Sequence, residues 1–245
     1  MATDDDERSP FTRPGFIAAA VVIALVVVLG IVLVIVNATD EDDPGPTPTS
    51  PASTSAAPTP NTTAVAGGES VCGLRGEVLT GTVTTAPDAE WQYVGTVAYP
   101  TSETFGPAES DPAGFGYCFQ HSPEGALFAA AQAVAQGSVP DNRAWIEYFA
   151  AEGPYRDQLL AEGTGGTSSE GTRLRIAGFR VLSYDGDTAR IDLAGEGSTA
   201  EGSITFSAVY DLVWQGGDWK VSTDTATPFD FASIPNFVGY VAWGA

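Results

Sequence analysis

Apolar and polar positions fall into five successive regimes. From Phe16 to Val36, 21 residues pass without a charge (FIAAAVVIALVVVLGIVLVIV). Wound as a helix they span about 31 Å, the thickness of a bilayer's hydrocarbon core. From residue 37 to 70 the apolar pattern vanishes. Thr39–Ser70 holds six prolines, many Ser and Thr, and no aromatic residue, too little apolar surface to offset the entropy of ordering. The composition predicts a disordered, semi-stiff spacer reaching ~90 Å at about 3.1 Å per residue. Residues 71–121 are irregular, with strand-like runs at Glu77–Val83 and at Trp91–Tyr99, the second ended by Pro100.

A helical period begins at Ser122-Pro123-Glu124, where a hydroxyl cap, a first-turn proline and an acid at the positive end of the dipole mark a helix start. Leu127, Phe128, Ala131, Val134 and Ala135 then recur on one face, up to Gly137. A second helix is predicted from Asp141 to Gly153, with Trp145, Ile146 and Phe149 inward. A third runs from Pro154 to Gly163. After the glycine-rich GTGGTSSEG loop the period falls to two. Thr172–Ser183, Thr188–Ala194, Ser203–Trp214 and Trp219–Asp224 read as strands. The third is the clearest, with Ile204, Phe206, Ala208, Tyr210, Leu212 and Trp214 on one face. Asp185-Gly186-Asp187 and Gln215-Gly216-Gly217-Asp218 supply the hairpin turns, and a parity break near Gly178 predicts a bulge. The expected fold class is α+β, with two or three helices packed on a curved four-stranded antiparallel sheet.

Charge fixes an expected topology. Arg8 and Arg13 precede the apolar run, whereas Asp40, Glu41, Asp42 and Asp43 follow it, and no further base occurs until Arg75. The positive-inside rule puts residues 1–15 in the cytoplasm, 16–36 across the membrane as a single span, and the rest outside. Val36-Asn37-Ala38 would suit a signal peptidase. The run, however, exceeds the 7–15 residues of a signal core and follows an acidic tail, so an uncleaved anchor is expected. From Val71 on, 22 acidic residues face eight basic ones, a net charge of −14. That domain would be repelled by nucleic acid.

Two cysteines, Cys72 and Cys118, lie in the exported part, where an even pair predicts a disulfide. Cys118 and the sole histidine, His121, are spaced as metal ligands could be. A structural zinc site needs a fourth Cys or His, and none exists, so no metal is expected. His121 is expected at the surface beside the first helix. There is no Gly-x-Ser-x-Gly elbow, the Asp185-x-Asp187 pair lacks the other ligands of a calcium loop, and the glycine-rich loop lacks a phosphate-binding lysine. No catalytic centre and no cofactor are expected.

The order of helices then four strands, closed by Tyr210-Asp211-Leu212-Val213-Trp214-Gln215-Gly216-Gly217-Asp218-Trp219-Lys220-Val221, resembles the cone-shaped nuclear-transport-factor-two-like superfamily over residues 122–227. With the anchor and exported body added, the chain is similar to the bitopic scaffold subunits of conjugation-type type IV secretion systems. Its linker and composition look like those of actinobacterial membrane proteins that accompany mobile elements. The Cys-containing preface, 71–121, departs from the minimal fold. The resemblance implies a cone whose inward Tyr210 and Trp214 fill it.

The last stretch, residues 228–245, carries Phe229, Phe231, Phe237, Tyr240 and Trp243 with no basic residue. It either seals the sheet or docks a partner, since aromatic anchors concentrate binding energy. The expected function is a non-catalytic, membrane-anchored scaffold of an envelope machinery. Its partners would be other envelope proteins or a second copy, with no nucleic acid and no small-molecule ligand. The alternative is an exported small-ligand-binding module or cone-fold enzyme.

Overall fold

The structure, a computed structural model, describes residues 70–162, 173–199 and 202–245. All of them belong to one of the chain's two compact units, Asn61–Ala245. The expected tail, span and spacer, and the glycine-rich loop, lie outside the described residues. Among the described residues no helix is long and apolar enough to cross a membrane.

In chain order the elements are a hairpin of β1 (Glu90–Val94) and β2 (Val97–Thr101), a small pair of β3 (Glu109–Ser110) and β4 (Gly116–Tyr117), and helices α1 (Pro123–Gly137), α2 (Arg143–Phe149) and α3 (Arg156–Glu162). The meander β5 (Arg173–Tyr184), β6 (Thr188–Thr199), β7 (Gly202–Gln215) and β8 (Asp218–Val221) follows, and then β9 (Phe229–Ser233) and β10 (Val241–Ala242).

The predicted four-stranded antiparallel sheet is corrected by this architecture. The protein is mostly β, with one eight-stranded mixed sheet in the order β1-β2-β5-β6-β7-β8, β9 added to β7 and β10 to β5. The sheet curls into a half-barrel around α1, which touches β2, β5, β6, β7 and β8. Its mixed character comes from one parallel contact, Val97 with Leu174, that joins the β1–β2 hairpin to β5. The cone-like four-stranded layout is therefore not the fold of this chain.

The local signals explain why α1 can sit there. The Ser122 hydroxyl accepts from Gly125 N at 3.0 Å, and the Ser138 hydroxyl donates to the Ala135 carbonyl at 2.6 Å. Between these caps six alanines are buried with Leu127 and Phe128, and small side chains let the sheet approach from several sides. Any Cβ at position 125 would collide with the Gln120 carbonyl, so the approach to the helix requires glycine.

The meander follows the alternation read from the sequence. Ile176, Phe179, Ile191, Leu193, Ala208, Tyr210 and Leu212 enter the core around α1. The register of β5 against β6 shifts between Ile176 and Gly178, the bulge expected there. A side chain at 178 would come within 2.8 Å of the Val241 carbonyl, so the glycine also admits β10.

Other expectations in the preface change. Glu77–Val83 forms no strand, only a single bridge from Glu77 to His121. The arm is held instead by Val71 N to the Gly217 carbonyl at 2.7 Å and the Tyr184 hydroxyl to the Val78 carbonyl at 2.5 Å. Trp91–Tyr99 is a hairpin, and Pro100 lies inside β2 opposite Trp91. Among the described residues β2 pairs with β5 only at Val97 and no strand pairs with Pro100 on the side away from β1, a position where a missing N–H is tolerated.

Candidate functional site

The five aromatic residues singled out in the last 18 residues separate into two groups. Trp243 is only 6% exposed. Its ring meets Phe128, Phe179 and Trp91 edge-on at 5.2, 5.5 and 5.4 Å, and its Nε1–H donates to the Pro87 carbonyl at 3.2 Å. This residue closes the core. Tyr240 is half-buried on the other face of the sheet. Its hydroxyl donates to Asp192 Oδ2 at 2.9 Å and accepts from Arg180, whose guanidinium lies 4.2 Å above the Tyr240 ring.

Asp192 alternates with the core residues Ile191 and Leu193, so it points away from α1 and is nonetheless buried. Arg180 and the Ser207 hydroxyl complete its partners, Ser207 at 2.6 Å. The bond to Asp192 holds the Arg180 guanidinium above its ordinary range, and burial pushes the Tyr240 phenol up. Phe237 is half-buried between these anchors and β9.

Phe229 and Phe231 behave differently. They are 41% and 56% exposed, on an edge strand whose five residues are all exposed. Phe229 pairs with Tyr210 and Phe231 with Ala208. Residues directly opposite in a ladder share a face, so both rings lie on the α1 side of the sheet, beyond the packed core. Their centroids are 5.8 Å apart, and Phe231 meets Tyr210 edge-on at 6.1 Å. Ile204 extends the same face of β7 and is also exposed.

Backbone pairing defines the edge. Asp211 N donates to the Pro228 carbonyl, Ile234 N donates to the Thr205 carbonyl, and the ladder between them has no register shift. By alternation, Asp230 and Ala232 turn their backbone groups to β7, whereas Phe229, Phe231 and Ser233 turn theirs outward. The Thr205 hydroxyl bonds the Ile234 carbonyl and fixes the strand's end.

Elsewhere the polar groups build structure. Cys72 and Cys118 are joined in a disulfide, as predicted. Asp218, which the sequence suggested was only a turn residue, is fully buried. Its carboxylate accepts from Cys118 N and Phe119 N at 2.8 Å each, Trp219 N at 3.0 Å and the Tyr148 hydroxyl at 2.9 Å. Burial pushes this carboxyl up while the backbone donors pull it down. Lys220 sits 3.1 Å from the Tyr148 ring centre and donates to the Tyr148 carbonyl at 2.9 Å. Burial lowers its ammonium from the ordinary 10.5 to about 8. The one signal for this cluster was an acid directly before a core tryptophan and two before a lysine.

His121 corrects the expectation of a surface histidine, being 2% exposed. Its ring stacks on Trp214 at 4.0 Å, with Nδ1 2.9 Å from Glu77 and Nε2 2.6 Å from the Gly186 carbonyl. It ties the arm to the β5–β6 turn. In that turn, expected from the sequence as a hairpin turn, Asp185 Oδ1 accepts from Asp187 N and Thr188 N at 3.1 and 2.7 Å and so closes an Asx turn. Among the described residues no group of three or more His, Cys, Asp or Glu side chains is gathered for a metal. A cleft of about 570 Å³ opens beside Tyr93, Ala98, Arg173, Arg175 and Glu196, with Arg175 already paired to Glu196 at 2.5 Å.

A protein-family model described as "Domain of unknown function (DUF8175)" matches residues 47–242. No curated protein and no solved structure matches the chain.

Proposed function

We propose that this chain, which belongs to the DUF8175 family, is a membrane-tethered docking module. The apolar segment 16–36 anchors it, the Pro/Thr/Ser-rich stretch 37–70 holds the body away from the membrane, and the body binds other envelope proteins without catalysing a reaction. One observation carries the reading. Phe229 and Phe231 stand exposed side by side on an edge strand, while Tyr240 and Trp243 of the same segment fasten it to the sheet. Exposed aromatic rings on a rigid support cost little entropy when a partner covers them, which is how interface anchors concentrate binding energy.

The acidic surface supports a protein partner over nucleic acid. The half-barrel replaces the four-stranded cone on which a link to conjugation machinery rests, and the docking role does not depend on that link. The test compares the full-length protein with a Phe229→Ser, Phe231→Ser double variant in cross-linking and co-purification from native envelopes. The double variant should melt within a few degrees of the parent, since neither ring is in the core, and should lose its cross-linked partners. Retention of every partner by a folded double variant would refute the docking role of this surface.

A further inference from the structure

We infer that β9 is an edge for strand addition, and that its occupant is an extended, basic segment of a partner protein alternating apolar and Lys or Arg residues. The inference rests on the docking role proposed above and specifies how the partner is held.

Three features lead there. The first is the outward backbone: Phe229, Phe231 and Ser233 direct N–H and C=O groups away from β7, in a ladder with no bulge, and among the described residues no strand pairs with that side. Sheet edges in soluble proteins are ordinarily blunted by lysines, prolines or bulges. In this strand the prolines, Pro228 and Pro235, stand only outside its two ends. They bound a short open edge and leave its middle unblocked.

The second feature is the division of the faces. A strand added beside β9 places alternate side chains next to Phe229 and Phe231, and the others next to Asp230 and Ala232. The aromatic face calls for apolar residues at every second position. Main-chain hydrogen bonds would supply affinity, and the two phenyl rings the selection of side chains.

The third feature is charge. No Lys or Arg occurs after Lys220, whereas Asp224 and Asp230 do, and residues 71–245 carry −14 overall. No basic residue on the segment screens this field from an incoming strand. A second copy of the chain would bring the same negative charge to the same edge, and an acidic strand would be repelled likewise. A basic strand sets its positive side chains beside Asp230 and gains from the surrounding field.

The experiment uses the full-length protein in detergent and two short blocked peptides, one alternating Val and Lys, the other Val and Glu. Binding is followed by titration, and amide hydrogen exchange is read at Phe229, Phe231 and Ser233. The Val/Lys peptide should bind, slow exchange at these three amides and weaken as salt rises, while the Val/Glu peptide does not bind. A Ser233→Pro variant removes one outward N–H that the β7 ladder does not use, so it should fold normally and bind the Val/Lys peptide at least roughly tenfold more weakly. Unchanged binding by Ser233→Pro would overturn strand addition. If the Phe229→Ser, Phe231→Ser variant had also lost its envelope partners, the docking role would still stand. Equal binding of the two peptides, or binding of neither, would overturn the basic occupant. Concentration-dependent dimerisation of the protein alone, abolished by Ser233→Pro, would assign the edge to a second copy and overturn it as well.

Discussion

The Tyr240 hydroxyl donates to the buried Asp192 carboxylate at 2.9 Å, tying the last turn of the chain to β6 in the middle of the sheet. The chain leaves β9 on the β7 side, crosses to the β5 side, and enters the core at Trp243. The two fastenings explain why a segment so rich in aromatic residues can leave Phe229 and Phe231 exposed without coming away from the body.

Tyr240→Phe removes one of the donors to Asp192 and leaves Arg180 and Ser207 in place. The expected cost is about 1.5–3 kcal/mol, the range for one hydrogen bond to a charged group. Denaturant unfolding of the parent and the variant measures it. No loss of stability would mean that the bond does not hold the segment.

Deleting Phe237–Ala245 removes Tyr240, β10 and Trp243 together. Trp243 alone, packed on Phe128, Phe179 and Trp91, corresponds to roughly 3–5 kcal/mol when a buried tryptophan is truncated. The deletion should lower the melting temperature far more than the Phe229→Ser, Phe231→Ser pair does. Circular dichroism melting separates the fastening residues from the presenting ones.

Lys220 gives the body a pH dependence of defined sign. Burial lowers its ammonium to about 8 in the folded state, whereas the unfolded chain titrates near its ordinary 10.5. Between these values the unfolded chain binds the extra proton, so the lysine's contribution to stability rises with pH through this window. Tyr148, Tyr184 and Tyr210 have phenols raised by burial. They act in the opposite direction above about pH 10, where only the unfolded chain ionises them. Lys220→Met should remove the rise, so the parent gains on the variant as pH increases from about 8 to about 10. Unfolding at several pH values would show it, and a constant gap would contradict the assignment.

The Cys72–Cys118 bridge joins residues 46 apart in sequence, and its removal should cost about 2–5 kcal/mol. Reduction, or a Cys72→Ser, Cys118→Ser variant, should lower the melting temperature. Mass spectrometry of the protein isolated under non-reducing conditions should find one linked peptide pair and no alkylatable thiol.

The central meander was legible in the sequence because alternation persists there for many residues. The long run from Ile204 to Trp214 showed β7, and the parity break at Gly178 showed the bulge. Ser122-Pro123-Glu124 located α1 for the same reason, since capping chemistry is local. The eight-stranded extent was hidden. β10 is two residues long and β9 five, too short for a period to separate from a loop. The joining of β2 to β5 depends on Val97 meeting Leu174 from across the chain. His121 was misplaced for a related reason, because its burial rests on Glu77 and Gly186, which approach from distant segments. Of the candidate site, composition revealed the aromatic residues. Which ones face inward depends on pairings that only the fold creates.

The docking claim is tested most directly by placing a photo-activatable benzoyl-phenylalanine at position 231 of the full-length protein in intact envelopes, with position 182 as the exposed control. A discrete adduct is expected at 231, absent at 182 and lost when Phe229→Ser is added. Identical adducts at both positions, or none at 231, would contradict it.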